Sequence, residues 1–361
     1  AVKADAYGHG AEFVSLELEK IGADWFAVSN LEEAMQLRRC GVSRPILILG
    51  YTPPQMAEKL HELDISQTIL SYEYGRELSA CAERAGVSVR AHIKLDTGMS
   101  RIGFLYQEPS RDVGALRQIE EVCRMPGILA EGIFTHFAVS DEGKDGEAFT
   151  RQQYACFREA VARLEQSGIR FSIHHCANSG AVMDYPELDF DMVRPGIILY
   201  GLMPSDKIRR TLDLVPAMEL KTVISLLKTV EPGTSVSYGC EFVTSRRTVL
   251  ATVPIGYADG YPRRLHDRAD MLVCGKRARV VGRVCMDQLM LDVTDIPEAK
   301  PGMTVTVWGR DGGGEIGVDE IAALDDTINY EMICLVGKRV PRIFLRGGKP
   351  VGQLNYICPE E

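Results

Sequence analysis

The chain has 361 residues, 45% hydrophobic and 25% charged, with 34 Gly and 17 Pro. This leaves ample apolar material for a core and excludes the disordered and collagen-like classes. Its 41 Lys+Arg against 50 Asp+Glu give a formal charge of −9. No basic block offers a stripe that could track phosphates, so nucleic acid is not an expected partner.

From residue 1 to about 205, short apolar runs alternate with amphipathic stretches. The runs fall at 1–3, 25–28, 45–49, 68–71, 87–95, 128–137, 171–174 and 192–200, and helical periodicity falls at 11–21, 31–39, 73–85, 114–123 and 147–167. This βαβα rhythm with close to eight strands predicts an α/β fold, a (β/α)8 TIM-type barrel over residues 1–205. Beyond residue 205 the texture changes to strand-like runs at 220–230, 248–253, 278–284, 289–293 and 303–307, broken by Gly, Pro and Asp. A smaller, mostly-β C-terminal domain is expected over 206–361, with a short helix at 318–324.

No apolar run reaches the ~18 residues of a membrane span, and no charged segment with a following apolar stretch opens the chain, so no membrane contact is expected from these residues. The ten cysteines are scattered without Cys-x-x-Cys spacing and read as reduced thiols, consistent with a cytoplasmic setting. The chain opens at Ala1 without a Met, directly on its most informative motif, and an upstream segment is expected.

Polar residues at the C-terminal ends of barrel strands are where barrel enzymes carry chemistry. Three ends qualify: Lys3 with the glycine-punctuated turn after it, Lys94 to Arg101, and Arg194 with Pro195 and Gly196. A partly desolvated lysine at a strand end is a nucleophile for a carbonyl compound, although a snorkelling surface lysine would look the same. His174 and His175 suggest a metal pair, but adjacent side chains on a strand point to opposite faces, so no metal is expected.

The string AVKADAYGHG at 1–10 closely resembles the pyridoxal-phosphate lysine motif of the alanine racemase family. The resemblance continues in register through KLDTGMSRIG (94–103), THF (135–137), CANS (176–179), RPGIILYG (194–201), VSYG (236–239), GYADGYPR (256–263), GRVCMDQ (282–288), TINYE (327–331) and RVPR (339–342). It implies an isomerase that interconverts L- and D-alanine with pyridoxal 5'-phosphate and supplies D-alanine for peptidoglycan. Lys3 would carry the cofactor, and Lys3 and Tyr238 would be the two bases on opposite faces of the substrate. His136 and Arg194 would support Tyr238, with Arg194 facing the pyridine nitrogen. Tyr7, Asn178, Ser179, Gly196, Ile197 and Lys338 would line the cofactor, mainly its phosphate. Arg101, Met286 and Tyr257 would meet the substrate, and Lys94 matches a lysine that is carbamylated in many members. The family also implies a homodimer in which Tyr238 and Met286 reach the partner's site.

Lys338 departs from the pattern, because many members place a tyrosine there. A more polar wall suits a serine side chain. The alternative is therefore the cytoplasmic domain of a membrane-anchored serine/alanine racemase of vancomycin resistance. A basic-amino-acid decarboxylase fits less well, because such enzymes place a carboxylate at the pyridine nitrogen. A non-catalytic cofactor carrier would end with the barrel.

Overall fold

The computed structural model describes residues 1–210 and 212–358 in two compact units: residues 1–6 with 11–215, and residues 7–10 with 216 onward. In the first unit six strands pair in parallel in chain order: β1 (Phe26–Val28), β2 (Ile46–Ile48), β3 (Ile65–Ile69), β4 (Val89–Asp96), β6 (Ile128–Phe134) and β7 (Ile173–His175). The two-residue β5 (Phe104–Leu105) pairs with the end of β4. Every residue of β3 is buried, as a parallel strand covered on both faces requires.

The segment α1 (Lys3–Tyr7) is a left-handed turn. Right-handed helices α2 (Ala11–Lys20), α3 (Leu31–Arg39), α4 (Ala57–Glu62), α5 (Tyr72–Ala85), α6 (Val113–Cys123), α7 (Glu147–Gln166) and α8 (Ser179–Asp184) follow. Their ends obey capping chemistry. Asn30 accepts from the Glu33 N–H at the start of α3, Ser71 from Tyr74 at the start of α5, and Gly86 takes the left-handed C-terminal position after α5. Neither α4 nor α8 is foreshadowed by periodicity, because each has only six residues.

The barrel-plus-β architecture is present, but two of the eight expected runs form no strand. Residues 1–3 lead into α1, and the run at 192–200 ends in a 3-10 turn, Ile197–Tyr200. Pro195 has no N–H for a ladder, and Gly196 takes φ −121°, ψ −96°, so the apolar Ile197–Tyr200 segment turns instead of extending. Single hydrogen bonds link these segments to their neighbours: Arg194 N to Ala177 O (2.9 Å), Ala1 N to Pro195 O (2.8 Å) and Val2 N to Ala27 O (2.9 Å). The run expected at 68–71 lies earlier, at Ile65–Ile69, because Ser71 is committed to capping α5.

In α1, Ala4, Asp5, Ala6 and Tyr7 all have φ between 51° and 56°. Left-handed backbone costs a non-glycine residue roughly 1–2 kcal/mol. Specific bonds offset it: Glu33 accepts from Ala4 N and Ser29 N, both at 2.7 Å, and Asp5 accepts from Ala11 N at 2.8 Å. The turn thus places Lys3 at its head by a conformation that its own residues disfavour.

The second unit carries an antiparallel sheet from β8 (Leu220–Val223), β9 (Leu226–Val230), β12 (Thr248–Val253), β13 (Asp270–Val273), β14 (Lys276–Val280), β15 (Leu289–Asp292), β16 (Thr304–Asp311) and β17 (Gly314–Ile316). Two hairpins accompany it, β10 (Ser235–Val236) with β11 (Phe242–Val243) and β18 (Arg342–Arg346) with β19 (Lys349–Leu354). Helix α9 (Val318–Leu324) matches the helix expected there, and α10 (Asn329–Cys334) follows it. Residues 220–230 are two strands, separated where Ser225 donates to Thr252 O.

Glu33→Ala removes the acceptor for two backbone N–H groups and is expected to destabilise the first unit by about 1–2 kcal/mol, with Glu33→Gln intermediate. Denaturant midpoints of the three proteins measure it; equal midpoints would remove Glu33 as the clamp on α1.

Candidate active site

In the first unit the strand ends converge on Arg194. Its guanidinium is buried and donates to Thr135 O (2.9 Å), Cys176 O (3.1 Å), His175 Nδ1 (2.7 Å) and His136 Nδ1 (3.3 Å), and lies 5.3 Å from the centre of the Phe134 ring. Burial lowers its pKa to about 10, so it stays charged at neutral pH.

Arginine has no acceptor, so His136 must present the Nδ1 lone pair and carry its proton on Nε2. Burial first, then Arg194, Lys94, Arg101 and Lys3, hold the His136 pKa well below the ordinary histidine value. His136 is thus neutral and a donor at Nε2. Gln153 steadies the segment, donating to His136 O (3.2 Å) and accepting from Ala138 N (2.9 Å).

Lys94 is buried on β4, its Nζ donating to Leu95 O (2.7 Å) and lying 5.4 Å from the same Phe134 ring. Burial and the Arg194 charge, opposed by Asp96, bring its pKa down to about 7. Asp96 accepts from Gly98 N and Ser100 N, both 3.0 Å, and orders the loop that leads to the exposed Arg101. Asn178 caps α8 by accepting from Ala181 N (3.0 Å), and Ser179 Oγ accepts from Gly196 N (2.8 Å). Two helical starts therefore meet at Ser179 and Ile197, where first-turn N–H groups have no intrahelical acceptor. Backbone donors and fixed cations together suit an anionic, phosphate-bearing group.

The second unit gathers the other predicted residues. Tyr238 (69% exposed) opens a 3-10 turn after Ser237, whose Oγ donates to Arg283 O (2.5 Å) and lies 3.5 Å from Cys285 Sγ. Tyr257 N donates to Cys285 O (3.1 Å) and Ala258 N to Met286 O (3.0 Å), tying Tyr257 (44% exposed) to Met286 (52% exposed). Gly256 has no room for a Cβ beside the Cys285 and Met286 carbonyls. Lys338 is exposed in a segment held by Gly337 N on Asp259 O (2.8 Å) and by Arg339 on Asp259 (3.0 Å) and Asp287 (2.7 Å). Tyr7 belongs to this unit, buried 6.2 Å from the Tyr330 ring, with burial pushing its phenol up to about 12.

Sequence reading overlooked the partners of Arg194 other than His136. His175 accepts from Arg194, whereas its neighbour His174 pairs with Asp191 (2.7 Å) on the other side. A lone histidine within the apolar run 87–95, His92, was the one available signal for what lies behind His175.

Residues 1–204 match the family described as alanine racemase, N-terminal domain, and residues 217–344 match alanine racemase, C-terminal domain. An alanine racemase of Desulfovibrio desulfuricans is 48% identical over 95% of this chain and 90% of its own length, and one of Desulforamulus reducens is 46% identical over the same shares. Among solved structures, alanine racemase of Clostridium difficile 630 superposes with a TM-score of 0.93 at 39% identity, over 99% of this chain and 91% of that one. Alanine racemase of Bacillus anthracis with bound L-Ala-P gives 0.91 at 38% identity, over 99% and 90%. With both domains matched and a fixed cation, a neutral histidine and a buried lysine on β4 in one unit, the chain belongs to the alanine racemase family.

Proposed function

We propose that this chain is a cytoplasmic, pyridoxal-phosphate-dependent homodimer that interconverts L- and D-alanine with Lys3 and Tyr238 as its two bases, and so supplies D-alanine for peptidoglycan. The observation that carries the reading is the neutral His136 held on the buried, charged Arg194. When bound, the cofactor supplies delocalisation of the negative charge left on the α-carbon. Lys3 would hold it at the head of α1, and Ser179, Gly196, Ile197 and Asn178 would line it. The barrel of residues 1–205 thus has the cofactor-binding role, and the β domain of 206–361 contributes to the partner subunit's site.

The proton chemistry follows from the donors and acceptors. Arg194 takes the Nδ1 lone pair of His136, leaving Nε2–H to donate to an oxygen that carries negative charge, which a phenolate does. In this reading Tyr238 of one protomer works in the site of its partner, and the exposure of Tyr238, Met286 and Tyr257 is consistent with that. Arg101 and the Met286 N–H would meet the substrate carboxylate. Mixing inactive Lys3→Ala with inactive Tyr238→Ala protein is expected to restore about a quarter of native activity per total site, from random reassortment of two subunits that each lend one base. No recovery after verified subunit exchange would contradict the shared site.

Carbamylation of Lys94 is the second element. An unprotonated amine adds CO2 and releases a proton, and the resulting carbamate would steady Arg101 in place of a cation that repels it. Because the Lys94 pKa is brought down to about 7, the free amine is populated above that value and lost below it. With labelled bicarbonate, a carbamate carbon signal is expected to grow between about pH 6 and about pH 8 and to vanish in Lys94→Ala; its absence throughout would leave Lys94 an ordinary buried amine.

Relatives at 42–48% identity carry the name alanine racemase, which favours alanine over serine. Initial rates on L-alanine and L-serine with chiral product detection are expected to favour alanine, and Lys338→Tyr to lower the serine-to-alanine ratio of kcat/KM. Comparable serine turnover would move the assignment to a serine racemase, and an unchanged ratio in the variant would remove Lys338 from specificity.

A further inference from the structure

Behind Arg194 two hydrogen-bonded histidines, with a carboxylate beyond them, line up in the interior of the first unit. Arg194 donates to His175 Nδ1 (2.7 Å), His175 Nε2 lies 2.8 Å from His92 Nδ1, and His92 Nε2 lies 3.4 Å from Glu131 Oε1. His92 and His175 are fully buried on β4 and β7, and Glu131 lies between them in chain order on β6. Glu131 is also the acceptor for Ser66 Oγ and sits 3.4 Å from the Arg90 guanidinium, which in turn pairs with Asp64 at 2.8 Å.

Each bond of the series requires one direction. A guanidinium only donates, so the bond from Arg194 exists only while His175 offers Nδ1 and keeps its proton on Nε2. That proton needs an acceptor, which only the Nδ1 lone pair of His92 supplies. The proton of His92 is then on Nε2, facing a carboxylate that only accepts. If His92 took the other tautomer, two N–H groups would face each other at 2.8 Å, and His175 could restore the bond only by reversing as well, presenting an N–H to Arg194.

The backbone is shaped around this arrangement. Gly132 pairs with His92 across β4 and β6, and a Cβ there would fall 2.4 Å from His92 Nδ1. Trp25 and the His175 ring pack edge-on against His92, and Phe134 stacks on His175 at 4.6 Å.

We propose that His92 and Glu131 are positioning residues for racemisation: through His175 they fix the tautomer that gives Arg194 its acceptor, and so aim the guanidinium at His136 from the far side of the barrel. The inference rests on the reading that Arg194 and His136 serve the reaction. Neither His92 nor Glu131 touches a reacting atom in it.

The test compares His92→Leu, which removes the acceptor, with His92→Asn, whose amide oxygen takes the place of Nδ1. Imidazole nitrogen NMR on the holoenzyme reads the His175 tautomer directly, without turnover. Wild-type and His92→Asn proteins should show His175 protonated at Nε2 alone, and His92→Leu a mixture. For kcat on alanine, a loss of about tenfold is expected in His92→Leu with KM little changed, and recovery to within about threefold of wild type in His92→Asn. Glu131→Leu, at the half-buried end, should mix the His175 tautomer in the same way and stands in if His92→Leu does not fold. A wild-type His175 protonated at Nδ1, an unmixed tautomer in the Leu variants, or equal kcat in His92→Leu and His92→Asn would each overturn the proposal. Absence of alanine turnover in the wild type would instead remove the functional reading and leave the tautomer result standing.

Discussion

A charged guanidinium buried in the first unit is the constraint on which the rest depends. Desolvating a cation is costly, and a buried one persists only with strong hydrogen-bond partners in rigid surroundings. The two Nη groups of Arg194 reach two carbonyls and two imidazole lone pairs, and an aromatic face lies alongside. Each of those partners is fixed in turn. The two histidines must be neutral, Lys94 is pushed toward neutrality, and Thr135 and Cys176 must end their strands with carbonyls pointing inward. The same residue helps close the barrel, since its own N–H bonds Ala177 and the following Pro195 carbonyl receives Ala1. Charge placement and chain topology are therefore one problem at this position, and a change to the Arg194 backbone would disturb both.

Strain is the second feature, and it sits next to Lys3. Four consecutive non-glycine residues with left-handed φ form only where side chains hold them, and Glu33 does so from outside the turn and Asp5 from within it. A residue at the head of such a turn has little freedom to wander, and in the proposed mechanism Lys3 must both hold a cofactor and return to take up a proton.

The order of strands and helices was legible because parallel strands buried on both faces are short apolar runs, and because the longer helices have caps and periodicity. The first and last runs were not. Residues 197–200 are as apolar and β-branched as a strand, but Pro195 and Gly196 break the ladder before them, and the competition between composition and backbone is settled by the bonds to Ala177 and Ala1. At the site, resemblance supplied Lys3, His136, Arg194, Ser179 and Tyr238, and the geometry then explained His136 and Arg194 as a pair. His92 and Glu131 carry no motif. Their meaning lies in the register of β4 against β6, which brings a glycine opposite the histidine, and in β7 lying beside β6, and neither is written in any local stretch of sequence.

The sign of the charge at Arg194 also bears on which reaction such a site favours. A carboxylate facing a pyridine nitrogen encourages its protonation and makes the ring a strong electron sink. A guanidinium that stays protonated, with a pKa of about 10 even when buried, opposes protonation there and keeps the ring a weaker one. In the proposed arrangement negative charge would remain nearer the α-carbon, where either base can return the proton, and less would reach the neighbouring carbon whose protonation leads to transamination. The neutral histidines follow from the same source, since a second cation beside Arg194 would raise the cost of the first. The geometry that excludes protons from His136 and His175 is thus the geometry that would keep a proton off the cofactor ring.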